Sequence, residues 1–264
     1  MRFVRLVLHY LPALVILVSV LVLWETAVRG LNLQAFILPA PTAIWDALTT
    51  NWSDGYRIFP AAQVTLTEAL GGLGIGTFMG LLTAFAVSRF PRSREAVLPL
   101  AVAINAIPIV AFAPIANNWF GILSPFSKMA VAASLVFFPI MINVLRGLTD
   151  VDASALELMR SYGASPTQLT IRLRIPNALP YFLTGLKVAT TLSLIGAVVG
   201  EYFGGLTDTL GRVVVGAASA LRFDITWSAI LVVALVGMGM YLLAVAVERV
   251  LIPWHPSVRG ELPA

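Results

Sequence analysis

The chain has 264 residues, 59% of them hydrophobic and only 11% charged, with a formal net charge of +4 and a mean hydropathy of +0.90. Soluble domains are about half apolar and about a quarter charged, so this composition marks an integral membrane protein and argues against a soluble enzyme or a nucleic-acid-binding domain. The absence of cysteine removes disulfides, thiolate nucleophiles and cysteine metal sites.

A bilayer core is crossed by roughly 20 apolar helical residues. On that measure six spans are predicted, over residues 6–28, 63–88, 96–119, 128–145, 181–200 and 225–247, packed as a single unit over residues 1–264. The first follows Arg2 and Arg5 and runs apolar to about Trp24. A cleavable signal would have a shorter apolar core and a small-residue cleavage site, so this segment reads as an uncleaved span. Residues 30–62, rich in Pro, Trp and Asn, read as a connecting loop. In the second span Gly72, Gly76 and Gly80 recur every four residues and share one helix face, where a neighbouring backbone can approach closely. They are not a phosphate loop, because no Lys-Ser or Lys-Thr follows them. The third span contains Pro108 and Pro114 and is expected to be kinked.

Ionisable groups at membrane depth are functional candidates by default. Glu25, Glu68, Lys187 and Glu201 all fall near predicted span ends, where snorkelling makes a charge cheap. Glu68 and Glu201 are flanked by apolar residues and are the acidic candidates for a translocation pathway. Asn105 and Asn143 lie deeper, and either line a pathway or bond across helices.

Between the fourth and fifth spans lies a polar insert, Asp152 to Pro180. Asp152 and Glu157 early and Arg160 late suit a short helix in its own macrodipole. Gly163 then ends it, as glycine does after a helix C-terminus. Ser165, Pro166 and Gln168 are placed as N-cap, first helical residue and capping-box partner of a second helix, which Pro176 and Pro180 are expected to stop before the fifth span. Leu156, Leu158 and Met159 could rest this hairpin on lipid headgroups, or the segment could touch a partner protein; the residues alone leave both open.

Orientation follows from basic residues. With the N-terminus inside, twelve Lys and Arg fall on the cytoplasmic side (Arg2, Arg5, Arg89, Arg92, Arg94, Arg146, Arg160, Arg172, Arg174, Lys187, Arg249, Arg259) and five outside (Arg29, Arg57, Lys128, Arg212, Arg222). That bias puts both termini and the insert in the cytoplasm, and residues 201–224 in an external loop. Catalysis has no foothold: His9 and His255 lie at opposite ends of the chain, and no metal-ligand spacing is present.

The stretch Glu157-Leu158-Met159, Arg160-Ser161-Tyr162, Gly163, continuing to Ile175-Pro176, resembles the cytoplasmic motif of permease subunits of binding-protein-dependent ABC importers. Leu158 and Met159 stand where that motif has alanines. Leu38-Pro39-Ala40-Pro41-Thr42, Ala106-Ile107-Pro108 through Trp119-Phe120-Gly121, and Val198-Val199-Gly200-Glu201 with Gly204-Gly205 are similar to the nitrate, sulfonate, taurine and thiamine-precursor branch. The resemblance covers about residues 36–250.

It implies an all-α integral membrane protein, a six-span bundle of the type I ABC importer permease kind with a cytoplasmic coupling helix. Glu157, Leu158, Met159, Arg160, Tyr162 and Gly163 would dock a separate ATPase, which would carry ATP and Mg; this chain would need no cofactor. The other implied partners are an extracytoplasmic solute-binding protein and a second permease copy, in a homodimer, within a bacterial cytoplasmic (inner) membrane. The segments NNWFG, VFFP and VGEYFGG look most like members that carry thiamine pyrimidines or riboflavin, and the acids Glu25, Glu68 and Glu201 disfavour a strongly anionic cargo. The alternatives are a nitrate, sulfonate or taurine permease, and an ion-coupled secondary transporter, which would need charged groups near the midplane.

Overall fold

A computed structural model describes residues 2–90, 99, 103, 107–205 and 208–253 of the protein. Its helices are α1 (Arg2–Gly30), α2 (Pro41–Thr50), α3 (Ile58–Arg89), α4 (Ile109–Phe120), α5 (Pro125–Thr149), α6 (Ala153–Ser161), α7 (Pro166–Leu169), a π turn (Thr170–Arg174), α8 (Ile175–Tyr202), α9 (Leu210–Ser219) and α10 (Phe223–Leu251). Among the described residues, five stretches are long and apolar enough to cross a membrane: Leu11–Gly30, Ile58–Arg89, Pro125–Thr149, Pro166–Tyr202 and Phe223–Leu251. The expected third span is described only in its second half, and Asn105 lies outside the described residues. In that half Pro108 precedes α4 rather than kinking it, while Pro114 sits inside.

The bundle is built around α5, which packs most extensively on α3 and α8. Small residues make this possible. A Cβ on Gly76 would lie 2.7 Å from the Ala133 carbonyl, one on Gly80 would lie 2.9 Å from the Phe137 carbonyl, and one on Gly72 would collide with the Ala132 methyl. From the opposite side, a Cβ on Gly196 of α8 would meet Ala132 Cα at 2.5 Å. Lipid tails are as apolar as leucine, so helix association in a bilayer depends on such close packing. The contact surface is completed by Val136, Ile140, Val144 and Leu148 of α5, Ala84 and Val87 of α3, and Ala178 and Ala189 of α8. By contrast, α1 exposes Leu14, Ile16, Leu17 and Leu23, the pattern of a lipid-facing helix.

Three expectations are corrected. Residues 30–62 are not simply a loop, because they contain α2 and the first turn of α3. Pro41 opens α2 without any side-chain cap of its own. The cap comes from α1: Glu25 accepts from the Thr42 amide at 3.1 Å and from its hydroxyl at 2.8 Å, while Arg29 donates to Thr42 at 3.2 Å. Likewise residues 201–224 contain α9, whose Leu210, Val213, Val214 and Ala217 are buried in one apolar cluster with residues of α2, the start of α3, and α10. Both helices have ten residues, too short for a membrane-length criterion to register.

The third correction concerns Pro176 and Pro180, which do not stop the second helix of the insert. It runs on through Tyr202, with Pro176 in the first turn of α8 and Pro180 inside it. The π turn over Thr170–Arg174 accounts for this. Widening the helix immediately before Pro176 relieves the clash between its ring and the preceding turn, and absorbs the missing donor.

Candidate functional site

The insert begins where α5 and α8 touch. A Cβ on Gly147 would lie 2.6 Å from Ala178 Cα, so the helices meet backbone to backbone. Asn177 Nδ2 donates to the carbonyls of Gly147 at 2.8 Å and Asp150 at 2.9 Å, and the Tyr181 hydroxyl donates to Asp150 at 3.2 Å. From this anchor Asp152 caps α6 by accepting from the Ala155 amide at 2.9 Å. Gly163 then turns the chain at φ +70°, a conformation that suits glycine. The following capping box is closed: Ser165 accepts from the Gln168 amide at 3.3 Å, and the Ser165 amide donates to Gln168 Oε1 at 2.8 Å.

Between these two capped helix starts, α6 has no buried residue. Glu157 and Arg160 are exposed and Met159 is half-buried. Leu158 is 57% exposed and Tyr162 83% exposed. A helix fixed at both ends that displays Leu158 and Tyr162 presents a surface the other described residues do not cover.

At the far end of α8 the polar groups are hidden. Glu68, Lys128 and Glu201 are all buried, and Glu68 lies well inside α3 rather than near a span end, because α3 starts at Ile58. The Glu68 and Glu201 carboxyl groups neighbour each other, with Lys128 beside both. Glu201 accepts from the Gly211 amide at 2.6 Å, and Thr65 accepts from the Leu210 amide at 3.0 Å. Two side chains of the bundle thus bind the opening amides of α9, where the helix dipole favours negative charge. Gly211 is required for this approach, since a Cβ there would lie 2.7 Å from Glu201 Cβ. Lys128 Nζ donates to the Ile122 carbonyl and, at 3.4 Å, to that of Ser124. Gly204 and Gly205 pass over Asn117 and Lys128, with the Gly205 Cβ position 3.2 Å from Lys128 Cε. Glu68 Oε2, Glu201 Oε1 and both amide atoms of Asn117 have no partner among the described residues.

Residues 72–253 match the family described as the binding-protein-dependent transport system inner membrane component. The chain belongs to this family. It is also 35% identical over 235 residues to the formylaminopyrimidine transport permease protein of Halalkalibacterium halodurans, covering 89% of this chain and 92% of that one. It is 32% identical over 253 residues to the riboflavin transport system permease protein of Chloroflexus aurantiacus, covering 93% and 92%. A probable ABC transporter permease protein of Haemophilus influenzae is 32% identical over 235 residues, covering 89% and 94%.

The chain is therefore a multi-pass inner-membrane permease component of an ABC importer that moves a small solute. Such permease subunits are not catalytic, and ATP is hydrolysed on a separate ATPase subunit. Among the described residues no group of three or more His, Asp or Glu side chains could hold a metal ion.

Asn143 is half-buried and donates to the Pro139 carbonyl of its own helix at 2.8 Å, beside Gly185 of α8. Lys187, also set apart in the sequence, bonds both oxygens of Glu248 at 2.9 Å and ties α8 to α10. Lys128 carries the signal that sequence reading missed. Orientation places it among the outer charges at the first residue of the predicted fourth span, whereas Ser124-Pro125 starts α5 just before it and puts it inside the first turn.

Proposed function

We propose that this permease docks its ATPase through residues 153–163 and takes a thiamine pyrimidine or riboflavin-like solute from an extracytoplasmic binding protein. The carrying observation is α6 itself: capped by Asp152, ended by Gly163 at φ +70°, without a buried residue, and showing Leu158 and Tyr162 to solvent. In this reading both termini are cytoplasmic, the third span completes a set of six, and two permease copies present two docking helices to two ATPases. Nucleotide-driven closure of the ATPases would move α6, and the rigid join at Gly147, Asn177 and Tyr181 would pass that motion to α5 and α8. Glu68, Glu201 and Asn143, with Asn105, are the pathway candidates.

The cargo reading is supported by relatives named for formylaminopyrimidine and riboflavin transport. Relatives named for aliphatic sulfonates and taurine in Escherichia coli are 29% and 26% identical. An ion-coupled secondary transporter has no use for an ATPase-docking helix, and family membership decides against it.

The docking claim is tested with Glu157→Lys in the reconstituted importer. Membrane insertion and thermal stability are expected to be unchanged, while ATP-dependent uptake and co-purification of the ATPase fall at least about tenfold, or about 1.4 kcal/mol of coupling. Unchanged uptake and co-purification would remove the claim. For the cargo, calorimetry on the cognate binding protein should show tight binding of a pyrimidine or flavin and none of taurine or nitrate; the reverse order would overturn it.

A further inference from the structure

The inner end of α3, the C-terminal part of α6 and the start of α7 enclose a hollow of about 700 Å3, which shares only Arg160 with the proposed docking residues. Its wall carries Arg89 from the last turn of α3, Arg160 from α6 and Arg174 from the π turn, with the Thr167 hydroxyl, Leu169 and Ile171 between them. Among the described residues no acidic side chain lines it, and none of these three arginines belongs to an ion pair. Basic residues on an inner face are an ordinary consequence of topology. That rule scatters charge along loops; it gives no reason for arginines from three separate elements to line one concavity. Like charges around a shared volume repel, and an anion placed among them removes the repulsion. A guanidinium fork matches phosphate oxygens in pairs, which a carboxylate-free arginine cluster is suited to exploit.

We propose that this hollow binds a phosphate group, supplied by an anionic phospholipid of the adjacent leaflet. The position favours a lipid over a soluble phosphate: the hollow opens at the end of the membrane-length helix Ile58–Arg89, and Ile171, 59% exposed at its edge, offers an apolar surface for the start of an acyl chain. Basic pockets between helix ends at the cytoplasmic surface bind lipid headgroups for this reason. Because Arg89 belongs to α3 and Arg160 to α6, one phosphate would clamp the docking helix to the bundle. The assignment to the cytoplasmic leaflet rests on the proposed topology; the binding chemistry does not.

The test is native mass spectrometry of the full-length permease in non-ionic detergent, with added phosphatidylglycerol or phosphatidylcholine. Wild type should retain phosphatidylglycerol at least about tenfold better than phosphatidylcholine, and Arg89→Gln/Arg174→Gln should lose that preference, each a difference of about 1.4 kcal/mol. The double variant Arg172→Gln/Arg249→Gln removes the same charge from exposed positions outside the hollow and should behave as wild type. Thermal unfolding checks that each variant is folded, and the single exposed change Arg89→Gln carries the test if the double variant is not. No preference for phosphatidylglycerol, or equal loss in both double variants, would overturn the site. Displacement of the lipid by millimolar inorganic phosphate would keep the phosphate chemistry and overturn the lipid as its source. Glu157→Lys should retain the lipid even where it loses the ATPase, so failure of the docking proposal and failure of this one are separable.

Discussion

The two ends of α8 handle charge in opposite ways. At the Tyr202 end, Glu201 is packed out of reach with Glu68 and Lys128 and bonded to the start of α9. At the Ile175 end, the helix leads back through the π turn to α6, where Glu157 and Arg160 stand in the open. Twenty-eight residues of helix separate them, about 42 Å at 1.5 Å per residue. Breaking a buried charged group leaves its partners uncompensated, which is severe. Changing an exposed charge leaves stability nearly untouched, so any effect there is on contacts made with something else. The first region therefore holds α9 to the bundle, and the second is the surface proposed for partners.

Lys128→Met breaks the buried end most sharply. It leaves two neighbouring carboxyl groups without their cation and the Ile122 carbonyl without its donor. The expected loss is about 1–3 kcal/mol in thermal unfolding of the purified permease, the cost of leaving a buried hydrogen-bonding group without its partner. Adding Glu201→Gln, which keeps an oxygen for the Gly211 amide, should recover part of it. A Lys128→Met protein as stable as wild type would mean that the buried cluster does not depend on its cation.

Gly211→Val tests the same end through packing alone. The new Cβ would fall 2.7 Å from Glu201 Cβ and 2.8 Å from the Val198 carbonyl, which forces α9 off its anchor at about 1–3 kcal/mol, the usual cost of overpacking. Limited proteolysis should then cut within residues 203–222 while the α3–α5–α8 core stays intact. Cutting elsewhere first would show that α9 is held by its apolar face and not by Glu201.

The sequence made the exposed end easier to read than the buried one, for physical reasons. Capping chemistry is local: Asp152, Gly163, Ser165 and Gln168 act on residues within a few positions, so their pattern is visible along the chain. Five of the predicted spans were legible because a bilayer imposes a length. The buried cluster depends on contacts between residues as far apart as Thr65 and Leu210, and nothing local marks them. Helices α2 and α9 escaped because they are short, and the cap of α2 is supplied by Glu25 from another helix. Pro176 and Pro180 misled because a π turn can absorb what an α-helix cannot.

Gly163→Ala probes the exposed end at moderate cost. At φ +70° an L side chain is strained, and the expected destabilisation is about 1–2 kcal/mol. No heavy atom lies within 4 Å of the added methyl, so the effect is purely conformational. It should appear as faster amide exchange in α6 with little change in the melting of the bundle. A matching drop in global stability would place α6 within the bundle's cooperative core, against the comparison drawn above.

Asp208→Asn is the smallest effect and isolates burial from location. Asp208 pairs with Arg57 at 3.0 Å at the same end of the molecule as Glu201, yet the two side chains are 45% and 53% exposed. It also joins the start of α3 to the segment before α9, as the buried groups do. If position were what mattered, losing this pair would resemble losing Lys128. An exposed pair is weakened by solvent and salt, so the change should cost only about 0.2–1 kcal/mol and vanish in high salt. A salt-independent loss approaching that of Lys128→Met would show that the whole Tyr202 end acts as one electrostatic unit, and that burial is not what distinguishes the two ends of α8.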